Sequence, residues 1–433
     1  MTDYFINNII LLSKKEFPET IYCAAKSVLI DYLGVRVAGS HIMRDQVKNL
    51  YDELGETMQS KALIGGICAH VIELDDGHRF GMVHPGAPVI SALLAVSERY
   101  PVSGEDLFRG IIVGYEVTIR LASAVQPSHK LKFYHATGTC GTIGAAMGVA
   151  AMLGYDFEQT KSAFSAAITS AAGILEMING DTQMKPYNAG RAAMDGVAAA
   201  FIGKARFKCP EDALGGKRGF LKVMTDDPRL QYVTDFLDDK YMIESIYRKP
   251  YAACRHCHPA IEAALIIRNK KGFDMNSVNQ IEVSTYKLAV DGHEHTRIDG
   301  CNSAKMSIPY SLAVALCTGK AGIDEFNEES ITNTRVLQIA EKVSVHSNDE
   351  LTSLCPKKRV AIVTIMTGSG DFVQRVDFPK GEPENPLTRS EIEDKFRDLA
   401  MYGGLTKTEC DDVIEEINRN DFDINKILTI CRK

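Results

Sequence analysis

Between residues 61 and 207 the chain keeps returning to one kind of segment, a run of alanine, glycine and small apolar residues followed by a polar loop. Lys61–Asp76 (KALIGGICAHVIELDD), Ala87–Tyr100, Gly110–Val125, Ile143–Leu153, Glu158–Ile178 and Ala189–Phe207 all space their apolar positions as helices do. Residues 4–37 do the same, with Pro18 placed to open a second helix. Side chains this small let helix axes approach closely. Such a run predicts a helical body for this half.

The texture changes at Asn279. QIEVSTYKLAV (280–290) and RVAIVTIMTGSGDFVQRVDFP (359–379) alternate as strands do, the second interrupted by the turn Gly368-Ser369-Gly370-Asp371. Helices are predicted between them over Ser307–Cys317 and Asn333–Val343. From Thr388 onward, SEIEDKFRDLAM and KTECDDVIEEINR read as charged amphipathic helices that return to pack on the first half.

The polar loops hold nearly all the chemistry. GHRFGMVHPG (77–86), KFYHATGTCGT (132–142) and NGDTQMKPYN (179–188) each lead into a helix through Gly or Pro. A helix start presents unpaired N–H groups and a positive dipole end, which suits a carboxylate. Glu73, Asp75 and Asp76 precede His78, Arg79 and His84, an arrangement able to orient a general acid or base. His135 lies between Tyr134 and the Thr/Gly run, and Lys185 stands before Pro186. A lone lysine or loop histidine is ordinarily a surface residue; recurrence in loops between burying helices raises the odds of a site. Two lysines drawn together depress each other's pKa, leaving one as a neutral base and one as a cation for substrate carboxylate.

Tyr247–Pro259 (YRKPYAACRHCHP) is the junction of the two textures. Lys249, before Pro250, is expected in extended backbone, projecting into a cleft between the halves. CRHCH at 254–258 matches a haem-attachment pattern and offers soft metal ligands. Without an export signal or a second ligand pair at matching spacing, neither reading is adopted. No Walker loop, Rossmann fingerprint, Gly-x-Ser-x-Gly or His-Glu-x-x-His occurs, so nucleotide chemistry, hydride transfer and serine hydrolysis lose support.

A net charge of −7 and no long basic run argue against a nucleic-acid partner. Eleven scattered cysteines fit reduced thiols in the cytoplasm better than a secreted disulfide framework. Asp3 and Lys14-Lys15-Glu16 bracket an N-terminal apolar stretch unlike an export signal, and the alanine-rich runs meet charge before membrane-spanning length.

Taken in register, AHVIELDDGH (69–78), HPGAP (84–88), FYHATGTCGTIGAA (133–146), TQMKPYNAGRAA (182–193), KPYAACRHCHPAIEA (249–263) and AKMSIPYSLAVAL (304–316) resemble the MmgE/PrpD family over nearly the whole chain. That family includes 2-methylcitrate dehydratase, cis-aconitate decarboxylase and iminodisuccinate epimerase. The resemblance implies a mostly α protein: a large all-helical domain over 1–246 completed by 382–433, and a smaller α+β lid domain over 247–381. It further implies a homodimer, a site in the cleft between domains, a di- or tricarboxylate substrate, and no required metal or nucleotide. It puts His84, His135, Lys185 and Lys249 on the family's active-site positions, Glu73 on an acidic position, and Met177 on a pocket-lining one. Gly77 stands where many relatives carry Thr, Asn188 where some carry His, and Cys254 where the decarboxylase branch carries His; the loss of those two imidazoles argues against decarboxylation. The region between Ser40 and Lys61 also looks shorter than usual. The expected activity is dehydration of a 2-methylcitrate-like hydroxy-polycarboxylate, with iminodisuccinate-like epimerisation or decarboxylation on the same scaffold as the alternative and a non-catalytic carboxylate- or metal-binding protein as the reading from another class. In this scheme the two lysines and a protonated imidazole hold substrate carboxylates, Asp75 and Asp76 orient imidazoles, and His135 protonates the departing hydroxyl.

Overall fold

A computed structural model describes residues 1–178, 182–236, 240–419 and 421–432. The chain divides into two units, Met1–Asn179 with Gln183–Tyr247 and Thr388–Lys433, and Gly180–Thr182 with Arg248–Leu387.

The longer helices of the first unit are α1 Thr2–Ser13, α2 Glu19–Ile42, α3 Arg44–Leu54, α4 Met58–His70, α5 Gly86–Ser97, α6 Gly104–Val125, α7 Ala136–Met152, α8 Phe157–Ser170 and α9 Met184–Lys204. Local chemistry starts several of them. Thr57 with Ser60, Ser103 with Asp106, and Asp156 with Gln159 form reciprocal capping boxes at α4, α6 and α8, satisfying N–H groups that a helix start leaves unpaired. Helix α5 is buried along its whole length and α7 nearly so, as expected of helices apolar on every side. Around them pack α4, α6 and α9.

Close approach explains the glycines. A Cβ on Gly66 of α4 would lie 2.7 Å from the Cα of Gly190 on α9, and one on Gly190 would collide with the carbonyl oxygen of Leu63. These helices therefore touch backbone to backbone.

The second unit carries α10 His258–Arg268, α11 Ile308–Thr318 and α12 Thr334–Ala340, with strands β1 Val278–Thr285, β2 Val343–Ser347, β3 Ala361–Thr367 and β4 Gly370–Val376. The sheet order is β2-β1-β3-β4, with β1 parallel to β2 and antiparallel to β3. Strands β3 and β4 form the hairpin expected from the Gly-Ser turn, and β3 alternates buried and half-buried positions. Helix α10 packs on β3 and β4, and α11 packs on α10. The chain then returns to the first unit through α13 Arg389–Tyr402, α14 Lys407–Asn418 and α15 Ile424–Ile430. Helix α13 lies on α2, its Phe396 backbone over Gly34. The protein is thus mostly helical with a smaller α+β part. Among the described residues, no helix is long and apolar enough to cross a membrane.

Four element expectations are corrected. Helix α4 stops at His70 instead of running to Asp76, because Glu73 takes a left-handed backbone (φ 58°). The 132–142 loop becomes helix from Ala136 onward: Gly138 and Gly141 are small for packing against Ala172 and Pro88, not for turning. The helix expected over 158–178 ends at Ser170, and the strand expected over 280–290 ends at Thr285. Strand β2 was not anticipated. Of the predicted 179–188 loop, residues 179–181 lie outside the described residues, and Lys185 and Asn188 fall in the first turns of α9.

Replacing Gly190 by alanine should force α9 off α4 and lower stability by about 1–3 kcal/mol, read as a shift in the urea midpoint. An unchanged midpoint would refute the backbone-to-backbone contact.

Candidate active site

Three loops of the first unit deliver the titratable side chains, and each passes through a strained residue two positions earlier. Glu73 (φ 58°) precedes Asp75, Met82 (φ 49°) precedes His84, and Phe133 (φ 63°) precedes His135. Positive φ costs a side-chain-bearing residue energy and clusters at functional sites. A backbone bridge between Gly77 and Tyr247, with N–H···O distances of 3.0 and 2.8 Å, pins the first loop.

Asp75 and Asp76 are adjacent, almost wholly buried, and pushed in opposite directions from the ordinary carboxylate range. Asp75 Oδ2 accepts from His70 Nδ1 at 2.7 Å and lies 3.4 Å from His84 Nδ1. Burial alone would raise the Asp75 carboxyl, but the charges of His70 and His84 outweigh it and hold it well below the ordinary range. Asp76 instead accepts from the Tyr115 hydroxyl at 2.6 Å and the Gly86 N–H at 3.1 Å, closing the start of α5. Burial pushes its carboxyl from 3.8 up to about 7; the charges of Asp31 and Asp75 add to this, and the two hydrogen bonds oppose it. Gly86 is required here, since a Cβ would lie 2.7 Å from the Tyr115 hydroxyl.

The imidazoles form a cluster. The rings of His70 and His84 are 4.9 Å apart, and those of His70 and His135 6.4 Å. His84 Nδ1 donates to the carbonyl oxygen of Asp76 at 2.7 Å, which leaves the ring's exchangeable lone pair on Nε2. Its backbone N–H donates to Thr137 of α7. His135 caps α7, its own N–H donating to the Gly173 carbonyl at 3.1 Å. Burial, then the charges of His70, Lys185 and His84, hold the His135 ring well below its ordinary pKa, with Glu73 opposing. It is therefore neutral at physiological pH. Three buried polar atoms here have no hydrogen-bond partner among the described residues: His70 Nε2, Asp75 Oδ1 and His135 Nδ1.

Lys185, from α9, forms an ion pair with Glu73. Beside it on α9, Asn188 contacts the sulfur of Met177, which sits in the turn Leu175–Ile178. The first unit thus gathers Glu73, Asp75, Asp76, His84, His135 and Lys185 in one electrostatic cluster, with Met177 and Asn188 paired on its α9 side. It adds residues that sequence reasoning missed. His70 looked like one more position of an alanine-rich helix, and its spacing five before Asp75 was the available signal. Tyr115 lay inside an apolar helix and gave none. Lys395 of α13 binds Asp31 and the Leu74 carbonyl, both at 2.7 Å, so the returning C-terminal segment props the loop that carries Asp75.

Lys249 and Cys254 belong to the second unit. Lys249 is buried, and the Cys254 sulfur lies 3.3 Å from His293 Nε2. His256 Nδ1 is 2.6 Å from the Tyr286 hydroxyl, and His258 Nε2 faces the Ala253 carbonyl at 3.1 Å. The imidazoles of CRHCH thus bind separate protein groups.

Ligating atoms of His70, Asp75 and His84 lie within 4.8 Å of one another, close enough to bracket a cation. His84 Nδ1, facing a carbonyl oxygen at 2.7 Å, carries hydrogen, so the lone pair this ring can offer is on Nε2.

The two carboxyls impose opposite pH dependences. Asp76, raised in the folded protein, is least costly below 3.8 and loses stability as pH climbs toward about 7. Asp75, depressed, contributes above its ordinary range and loses that contribution in acid. Melting temperatures between acid and neutral pH should therefore fall less steeply on the alkaline side for Asp76→Asn than for the parent. An identical profile would remove Asp76 from the account.

In comparison with known proteins, residues 9–233 match the MmgE/PrpD N-terminal domain and residues 251–420 the MmgE/PrpD C-terminal domain. The chain is 24% identical over 447 residues to the cis-aconitate decarboxylase-like protein oryM of Aspergillus oryzae, covering 92% of this chain and 90% of that protein. It is also 24% identical to the cis-aconitate decarboxylase of Homo sapiens, over 92% of this chain and 87% of the human one. A shorter likeness, again 24% identical, links 59% of the chain to 53% of the alkylcitrate dehydratase phiI of a fungal species. The activities in these names are lyase reactions. With both domains matched in order along its length, this chain belongs to the MmgE/PrpD family.

Proposed function

We propose that this protein is a lyase that dehydrates a citrate-like hydroxy-polycarboxylate, of the 2-methylcitrate class, by removing a proton beside a carboxylate. The observation that carries the reading is the imidazole–carboxylate–imidazole row His70–Asp75–His84 set beside a neutral His135. A carbon acid next to a carboxylate needs a neutral base and nearby positive charge for the electrons that build up. His135, stripped of its proton by burial, serves as that base, not as the acid expected from sequence. Asp75 stays ionised and stabilises positive charge on His70 or His84, so one of these rings can give a proton. Lys185 exchanges Glu73 for a substrate carboxylate.

The step balances simply. The C–H bond breaks and its proton goes to His135. The electron pair forms the new double bond, the C–O bond breaks, and the hydroxyl leaves as water with a proton from the second imidazole. Decarboxylation is the second reading, supported by the names of relatives from Aspergillus oryzae and Homo sapiens that each match 92% of the chain. There a C–C bond breaks, carbon dioxide leaves, and the carbanion takes a proton from the same imidazole. Cys254, standing where the decarboxylase branch carries histidine, favours dehydration.

Purified protein in deuterated water, offered a panel of di- and tricarboxylates, separates the readings. Dehydration gives ultraviolet absorbance from a conjugated double bond without carbon dioxide. Carbon dioxide with solvent deuterium in the product means decarboxylation, and deuterium alone means epimerisation. His135→Asn should cut turnover by about a hundred- to ten-thousandfold with little change in melting temperature, and Lys185→Ala should abolish it. Undiminished activity in His135→Asn would sink the assignment of the base.

A further inference from the structure

A cavity of about 290 Å³ opens in the first unit among α2, α3, α4 and the end of α15, and it shares no residue with the site above. Its cationic wall is Arg36, Arg44, Lys48, Lys61 and Arg432. Its carboxylates are already taken: Glu98 is shared by Lys61 and by Arg432, the latter at 2.6 Å, and Glu56 lies 3.7 Å from Lys61. Lys48 is held by Asp52 at 2.5 Å. Arg36 and Arg44 have no carboxylate partner among the described residues. Arg36 is half-buried within electrostatic reach of Tyr32, Tyr51, Cys68 and Cys431, and its Nη1 is buried with no hydrogen-bond acceptor among the described residues.

A buried guanidinium nitrogen without an acceptor is a costly donor left unused, and the lining carries more positive than negative groups in a chain whose net charge is −7. Arginine's planar fork suits carboxylate and phosphate oxygens, and the volume is at the small end of ligand pockets. We propose that this cavity is a binding site for a small oxyanion, a phosphate or a compact carboxylate, held by Arg36 and Arg44. Helix α2 carries Arg36 and, one turn earlier, Tyr32, whose hydroxyl meets Ser91 of α5 at 2.6 Å.

Isothermal titration with inorganic phosphate, and separately with tricarballylate, at matched ionic strength tests this on the whole chain. Compared are the parent, Arg36→Gln, Arg44→Gln and Lys185→Ala. At least one anion should bind the parent and Lys185→Ala alike, and about tenfold more weakly after either arginine change, the loss expected for one charge-assisted hydrogen bond. Arg44 is exposed at a helix start, so its variant carries the test should Arg36→Gln fail to fold. The anion whose binding survives Lys185→Ala and weakens in Arg44→Gln identifies phosphate or carboxylate as the source. No binding to the parent below about 10 mM, equal binding in Arg44→Gln, or loss in Lys185→Ala alone would each overturn the proposal.

Discussion

A buried, ionised carboxylate governs the first unit. Asp75 is 3% exposed, and a charge taken that far from water is tolerated only when paired and hydrogen-bonded. Two imidazoles supply the pairing, and each needs its own support. His70 must end a helix where the chain can still turn back, which sets the left-handed Glu73. His84 must be oriented from its far side, which falls to the carbonyl of Asp76. Asp76 then lies buried beside Asp75 and cannot ionise as readily, so Tyr115 and the first N–H of α5 receive it. One charge thus propagates constraints through two loops and three helices.

The neighbouring carboxyls differ in environment and hence in function. Asp75 faces cations and stays charged, while Asp76 faces donors in a dry cleft beside two other acids and sits near neutrality. Environments that push titratable groups apart are how one scaffold provides a charged stabiliser and a proton-bearing group together. Strain contributes as well. The left-handed residues at 73, 82 and 133 aim three side chains inward and are held there by backbone bridges and buried helix starts.

Much of this was legible in the residues. Small-residue helices, the hairpin at 368–371, the returning amphipathic helices and the loop that carries His84 all follow from periodicity and turn chemistry. What escaped was whatever depended on neighbours remote in sequence. The glycines of 138–141 read as loop because glycine breaks isolated helices, yet here they pack against Ala172 and Pro88. Strand β2 is a short edge whose pairing with β1 supplies what its sequence lacks. His70 hid in an alanine-rich helix because periodicity registers polarity on a face, not what that face meets.

The chain's own pattern decided its class: alanine and glycine at helical spacing can bury area only by bringing backbones together, and alternating β-branched residues can do so only in a sheet. It also decided which residue types were available for proton transfer. Tertiary structure alone decided their states. Whether a carboxyl is ionised or an imidazole neutral depends on the water removed and the charges brought within a few ångströms, and those come from segments as distant as Asp31, Tyr115 and Lys395.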